Sequence, residues 1–177
     1  MSYCLCIDIG NSLEKLAVFS PNRLVFKLSQ KAITLSQYKS LFKKYSIAFS
    51  ILSQVKPVSL SIKKYLKKQS QYLEMSPGLR LPVVNRYRTP STLGKDRLAA
   101  VSGAVRLYPG HPLLVIGIGT CITYDFVRFD NTYMGGSISP GLEMRLKAMH
   151  QFTASLPLVE INLKASWTGK TTQEAIQ

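Results

Sequence analysis

The sequence predicts an α/β protein built of two related halves with mixed sheets, each half opening on a β-hairpin. Three observations carry that reading. Apolar residues alternate through short segments and then switch to helical spacing, in the order β-β-β-α-β-α-β. The pattern restarts after His111. The segment Ile7-Asp8-Ile9-Gly10-Asn11-Ser12 also lines up with Ile116-Gly117-Ile118-Gly119-Thr120-Cys121, and a strand of similar length follows each. The halves divide as residues 1–110 and 111–177, with a ligand cleft expected between them.

Residues 3–9 (YCLCIDI) read as a buried strand that ends at the turn signal Gly10-Asn11. Residues 14–20 and 23–28 alternate as two more strands. Thr34 is placed to cap a helix whose Leu35, Tyr38, Leu41, Phe42 and Tyr45 keep helical spacing. Residues 47–55 form the next strand, and either Pro57 or Ser59 opens a second helix with Leu60, Ile62, Tyr65 and Leu66 on its apolar side. Short strands follow near 71–75 and around Val83-Val84, then a polar loop over 85–96 and an alanine-containing helix over 95–107. The second half repeats the scheme with strands at 113–118, 122–129 and 133–138 and a helix over 141–151.

Composition narrows the function. The 177 residues are 46% hydrophobic and 18% charged, an ordinary globular balance. No apolar run reaches the roughly 18 residues of a membrane span, and residues 1–9 lack the features of a secretory signal, so a cytoplasmic protein is expected. An odd count of three cysteines argues against a disulfide framework. With only His111 and His150 beside them, a thiol metal site is not expected either. The formal charge of +14 admits two readings, nucleic-acid binding or attraction of small anions such as nucleotides. The lysines are spread, and the densest groups (Lys39, Lys43, Lys44; Lys63, Lys64, Lys67, Lys68) follow helical faces, which favours solvated surface.

Three motifs carry chemistry. Asp8-Ile9-Gly10-Asn11-Ser12 sets a carboxylate at a strand end beside a glycine turn, where backbone N–H groups can approach phosphate and the carboxylate can hold Mg²⁺. Lys15 adds a positive charge. Gly94-Lys95-Asp96-Arg97 opens a helix. Asp96 there suits a general base toward a hydroxyl, or simply a residue favoured by the helix dipole. Arg97 suits bidentate contact with a carboxylate or phosphate. Gly135-Gly136-Ser137-Ile138-Ser139-Pro140-Gly141 precedes a helix and reads either as an anion cradle or as a sharply turning loop.

Taken together, the sequence resembles the type III pantothenate kinases. The resemblance rests on DIGNSLEK at 8–15, YRTPSTLGKDRLAA at 87–100, GIGTCITYD at 117–125 and GGSISPGLEMRLKAMHQFTASLP at 135–157, in the family's order and spacing. It implies an actin-like fold of two RNase H-like halves, with the second half C-terminally incomplete, since the sequence stops before the family's last strand and helices. It implies ATP-dependent phosphorylation of pantothenate, the first step toward coenzyme A, by a homodimer using Mg²⁺ and a monovalent cation, K⁺ or NH₄⁺. Asp8, Ile9, Gly10, Asn11, Ser12, Leu13, Glu14 and Lys15 match the first phosphate loop. Gly119 and Thr120 match the second. Tyr87, Gly94, Lys95, Asp96 and Arg97 match the pantothenate-contacting segment, with Asp96 the general base. Thr172 matches a pantothenate-contacting threonine near the dimer interface. One position departs: Gly117 stands where the family carries an aspartate associated with the monovalent cation. That departure and the short C-terminus admit an alternative, a catalytically impaired or non-catalytic regulatory relative.

Overall fold

The protein is described from a computed structural model covering residues 2–76 and 78–177. Its first sheet has five strands in the order β3-β2-β1-β4-β5. In β1 (Tyr3–Ile9), Leu5, Ile7 and Ile9 alternate into the core while Asp8 points to the other face. β2 (Glu14–Phe19) folds back antiparallel on β1, in the register Ile9↔Glu14 and Asp8↔Lys15, and β3 (Leu24–Gln30) continues the meander. β4 (Ile47–Gln54) lies parallel to β1 on its other edge, and β5 (Gln71–Glu74) parallel to β4.

Two helices cover one face of this sheet. α1 (Leu35–Lys44) starts at a capping box in which the Gln37 N–H donates to Thr34 Oγ1 and the Thr34 N–H to Gln37 Oε1. α2 (Leu60–Gln69) is capped by Ser59, which decides between the two expected openings. Tyr38 and Leu41 of α1 and Ile62 and Leu66 of α2 close on Leu5, Ile7, Leu16 and Leu52 to form the first core. Fully burying each such side chain contributes roughly 1.5–3 kcal/mol.

The second sheet has four strands in the order β6-β9-β8-β7. β7 (Leu113–Ile118), β8 (Cys121–Val127) and β9 (Thr132–Pro140) form an antiparallel meander, and the two-residue β6 (Val84–Asn85) pairs parallel with β9. α4 (Leu142–Phe152) follows β9, so β7-β8-β9-α4 repeats β1-β2-β3-α1. A short 3₁₀ turn (Pro90–Thr92) leads to α3 (Lys95–Leu107), which packs between the sheets. Its Leu98, Val101 and Val105 meet Val127 and Tyr133 of the second sheet, and Ile51 of β4 leans on the same cluster.

Three boundaries differ from expectation. β8 stops at Val127 because Asp130 accepts the Thr132 N–H and Asn131 takes a left-handed φ of 62°, which turns the chain into β9. The strand expected at 133–138 runs on to Pro140 and is paired with β8 from Gly135 onward, so the glycine-serine motif is strand and neither cradle nor turning loop. A short terminal helix α5 (Thr172–Ile176) is added, with Thr171 as its cap.

Candidate active site

The two glycine turns meet. Ser12 Oγ and Thr120 Oγ1 lie 2.9 Å apart, joining turns that are 108 residues apart in sequence. Each turn closes on itself through its glycine: the Gly10 N–H donates to the Leu13 carbonyl and the Gly119 N–H to the Cys121 carbonyl, both at 3.0 Å. Those two N–H groups are therefore spoken for. The two hydroxyls and Lys15 are exposed donors at the junction.

Asp8 stands just before the first turn, with its carboxylate 38% exposed and 3.2 Å from Lys15 Nζ. Ser53 is level with it on the neighbouring parallel strand β4, and its buried hydroxyl has no hydrogen-bond partner. Glu14, at the far side of the turn, holds structure together. Its carboxylate accepts the Ile33 N–H at 2.7 Å and faces Lys56 at 3.3 Å.

The third motif supports the second turn directly. The Gly141 N–H donates to the Thr120 carbonyl at 3.0 Å. A Cβ on Gly141 would fall 2.3 Å from the Gly119 carbonyl oxygen and 2.4 Å from that of Thr120, so only glycine lets α4 begin here.

Asp96 lies in the first turn of α3, exposed, where the helix dipole favours a carboxylate. Arg97, the next residue, is buried. Its Nε donates to Asp125 Oδ1 at 3.0 Å and to Oδ2 at 3.3 Å, and its Nη2 donates to Oδ1 at 2.6 Å. Arg97 and Asp125 are 6% and 1% exposed. Tyr133 donates its hydroxyl to the same Oδ1 at 2.6 Å. Its ring stacks on Tyr87 at 6.3 Å, and the Arg97 guanidinium sits 5.8 Å from the Tyr87 ring centre. Gly135, at φ 95°, keeps its side-chain space open to the Tyr87 ring, which a Cβ would meet at 3.3 Å.

Electrostatics follow from this pairing. Burial acts to lower the Arg97 pKa, but the bonded Asp125 carboxylate outweighs it and raises it above the ordinary value. Burial, and then the Asp125 charge, push the Tyr133 phenol up, so it remains a donor.

Among the expected site residues, the structure brings together Ser12 and Thr120, and separately Tyr87 and Arg97. Thr172 opens α5 and is exposed. The hydrogen bonds of that segment stay within residues 160–177, from the Lys170 N–H to Glu174 and from Gln177 to the Glu160 carbonyl. Gly117 is paired with Thr123, and a Cβ there would meet Thr123 Oγ1 at 2.7 Å. Asp125, on the facing strand β8, is held by Arg97 and Tyr133 and leaves no free carboxylate to make up for Gly117.

The sequence model of the type III pantothenate kinase family matches residues 4–177. A type III pantothenate kinase of Christiangramia forsetii is 45% identical over 174 residues, covering 97% of this chain and 72% of the relative. One from Phocaeicola vulgatus is 42% identical, covering 98% and 72%. The chain belongs to the type III pantothenate kinase family. This kinase uses ATP and a divalent metal to phosphorylate pantothenate. The comparisons give no support to the alternative of a non-catalytic relative. A Baf family protein of Campylobacter jejuni, 21% identical, superposes with a TM-score of 0.52 over 97% of this chain and 71% of its own, which shows a shared fold. The architecture is of the expected α/β class, with two mixed sheets.

The kinase's residues fit a divalent ion shared with the triphosphate. Among the described residues no group of three or more metal-ligating side chains exists. Asp8, a partly exposed strand-end carboxylate, would fit Mg²⁺, a hard cation usually held by one or two carboxylates together with phosphate groups. Sequence reasoning did not find Ser53, Asp125 as the partner of Arg97, or Tyr133. For Ser53 the available signal was its strand position beside Asp8. For the other two, no local signal exists. No helix among the described residues is long and apolar enough to cross a membrane.

Proposed function

We propose that phosphoryl transfer takes place at the junction of the two glycine turns, with the triphosphate held between residues 8–15 and Gly119-Thr120. The observation that carries this reading is the 2.9 Å approach of Ser12 and Thr120, which sets both hydroxyls at one point. With nucleotide present, both turn toward phosphate oxygens, and Lys15 adds positive charge. Asp8 would hold Mg²⁺, which neutralises charge on the phosphates when bound.

The acceptor side is α3 and the loop before it. Tyr87, Gly94, Lys95 and Arg97 contact pantothenate. Asp96, exposed at the helix start, takes the proton from the pantothenate hydroxyl as that oxygen bonds to the γ-phosphorus. The bond from the γ-phosphorus to the β,γ-bridging oxygen breaks and ADP leaves. Steady-state kinetics and calorimetry test this. Asp96→Asn lowers kcat by about a hundredfold or more, the usual worth of a positioned base, while pantothenate still binds. Unchanged kcat overturns the role.

Three finer points belong to the same reading. The units 1–110 and 111–177 each supply one turn. A homodimer is favoured by Leu163 and Trp167, which are left almost wholly exposed near Thr172; light scattering tests it. Finally, Gly117 brings no carboxylate to a monovalent cation, so K⁺ or NH₄⁺ binds weakly there. The same reading places the kinase in the cytoplasm, as a biosynthetic enzyme that draws on ATP.

A further inference from the structure

A carboxylate as buried as Asp125 is costly unless its charge is met. Arg97 and Tyr133 meet it with four hydrogen bonds. Such a pair is weak ground for stability alone, since apolar residues of similar volume often do as well. Its position in the fold is more telling. Arg97 follows Asp96 at the start of α3, whereas Asp125 lies on β8, the strand that leaves the second turn at Thr120. The pair therefore ties the acceptor side of the site to the phosphate side. Tyr133, on β9, adds a second tie, because its hydroxyl is on Asp125 and its ring is on Tyr87. Only the Nε and Nη2 edge of Arg97 is used by Asp125, which fixes the direction in which Nη1 points.

We infer that Asp125 and Tyr133 are positioning residues for the acceptor: one shared anchor sets the Arg97 guanidinium and the Tyr87 ring at a fixed place relative to the second phosphate turn. This rests on the reading that Tyr87 and Arg97 contact pantothenate.

The test is steady-state kinetics with each substrate varied, on the full-length protein and on Asp125→Asn, Tyr133→Phe, Arg97→Lys and the double variant Arg97→Lys/Asp125→Asn. Asp125→Asn keeps the shape and removes the charge. Tyr133→Phe keeps the ring stack and removes one donor. The expected result is a KM for pantothenate raised about tenfold in Asp125→Asn and about threefold in Tyr133→Phe, the scale of a charged and an ordinary hydrogen bond. The KM for ATP stays put, and the double variant is no worse than the worse single one. A merely structural role would lower the folded fraction and the apparent kcat without moving the KM for pantothenate. That outcome, with Arg97→Lys still raising this KM, overturns the inference and leaves the acceptor reading standing. An unchanged KM in Arg97→Lys overturns the acceptor reading and the inference with it. If Asp125→Asn does not fold, Tyr133→Phe decides by the same criterion.

Discussion

The hydroxyls of Ser12 and Thr120 are 2.9 Å apart, although 108 residues separate them in the chain. Both side chains are exposed, so water competes for the bond and its net contribution to stability is at most about 1 kcal/mol. Its importance is geometric. The hairpin of each half delivers one hydroxyl to the same point, because each turn is closed by its own glycine N–H and holds its shape without ligand. Two closed turns that each bring an exposed hydroxyl to one point suit an anion that touches both.

Ser12→Ala and Thr120→Ala should therefore behave alike. Each removes one phosphate donor and should raise the KM for ATP by about three- to tenfold, the worth of one hydrogen bond, with the KM for pantothenate unchanged. Thermal melting without ligand should move little. Substrate kinetics and a melt on the same preparations check both statements, and equal losses for the two substrates would contradict the assignment.

Glycine substitutions should separate packing from propensity. Gly141→Ala drives a methyl group into the Gly119 and Thr120 carbonyls, and backbone cannot yield cheaply. It should cost about 2 kcal/mol or more and weaken ATP binding by displacing the second turn. Gly103, inside α3, has nothing within 4 Å of the place a methyl group would occupy, so Gly103→Ala should stabilise by about 0.5–1 kcal/mol through helix propensity. Urea unfolding of the two variants should give shifts of opposite sign.

The contrast between these glycines shows what the sequence makes legible. Gly10 and Gly119 announce themselves because a turn between two alternating segments is a local pattern, and Thr34 with Gln37 announces a helix start in the same way. Arg97 is different. Its residue type and its place at a helix start suggest a ligand carboxylate, and the structure supplies one from within, Asp125, 28 residues away. Nothing in CITYDFV marks that aspartate as buried, since strand alternation gives its face but not what lies opposite. The motif from Gly135 to Gly141 reads two ways, as strand up to 138 and as a cradle or turning loop, for a related reason: glycine is rare inside strands, and the ring of Tyr87 that requires Gly135 comes from another element.

Glu74 should make stability depend on pH. Its carboxylate on β5 accepts Lys63 at 3.0 and 3.2 Å, Gln54 at 2.8 Å and Tyr72 at 3.1 Å, fastening α2 to the sheet. Burial acts to raise its pKa, but the Lys63 ammonium and the Tyr72 hydroxyl outweigh it, so the folded value lies below the ordinary 4.5. The stabilisation is thus complete above the unfolded pKa and is lost as pH falls through the lower, folded one. Glu74→Gln should destabilise by about 0.5–1 kcal/mol at pH 7, since the pair is partly exposed. Its gap to the parent should close below pH 4.5 in urea midpoints measured along a pH series. A gap that widens on acidification would reverse the sign.

Gly117→Asp tests the departure from the family pattern most directly. The substituted Cβ would stand 2.7 Å from Thr123 Oγ1. That hydroxyl is the end of a side chain, so a rotation about χ1 to another staggered well makes room. Asp125 cannot serve in its place, because Arg97 and Tyr133 already hold it. The variant should therefore fold and gain a carboxylate beside the second turn, where a monovalent cation can be retained. Its kcat should acquire a saturable dependence on K⁺ that the parent lacks, when assayed in sodium-matched buffers of constant ionic strength. Equal, saturable K⁺ responses in both proteins would mean that the parent binds the cation through oxygens other than a carboxylate at 117, and the proposal that Gly117 weakens the site would fall.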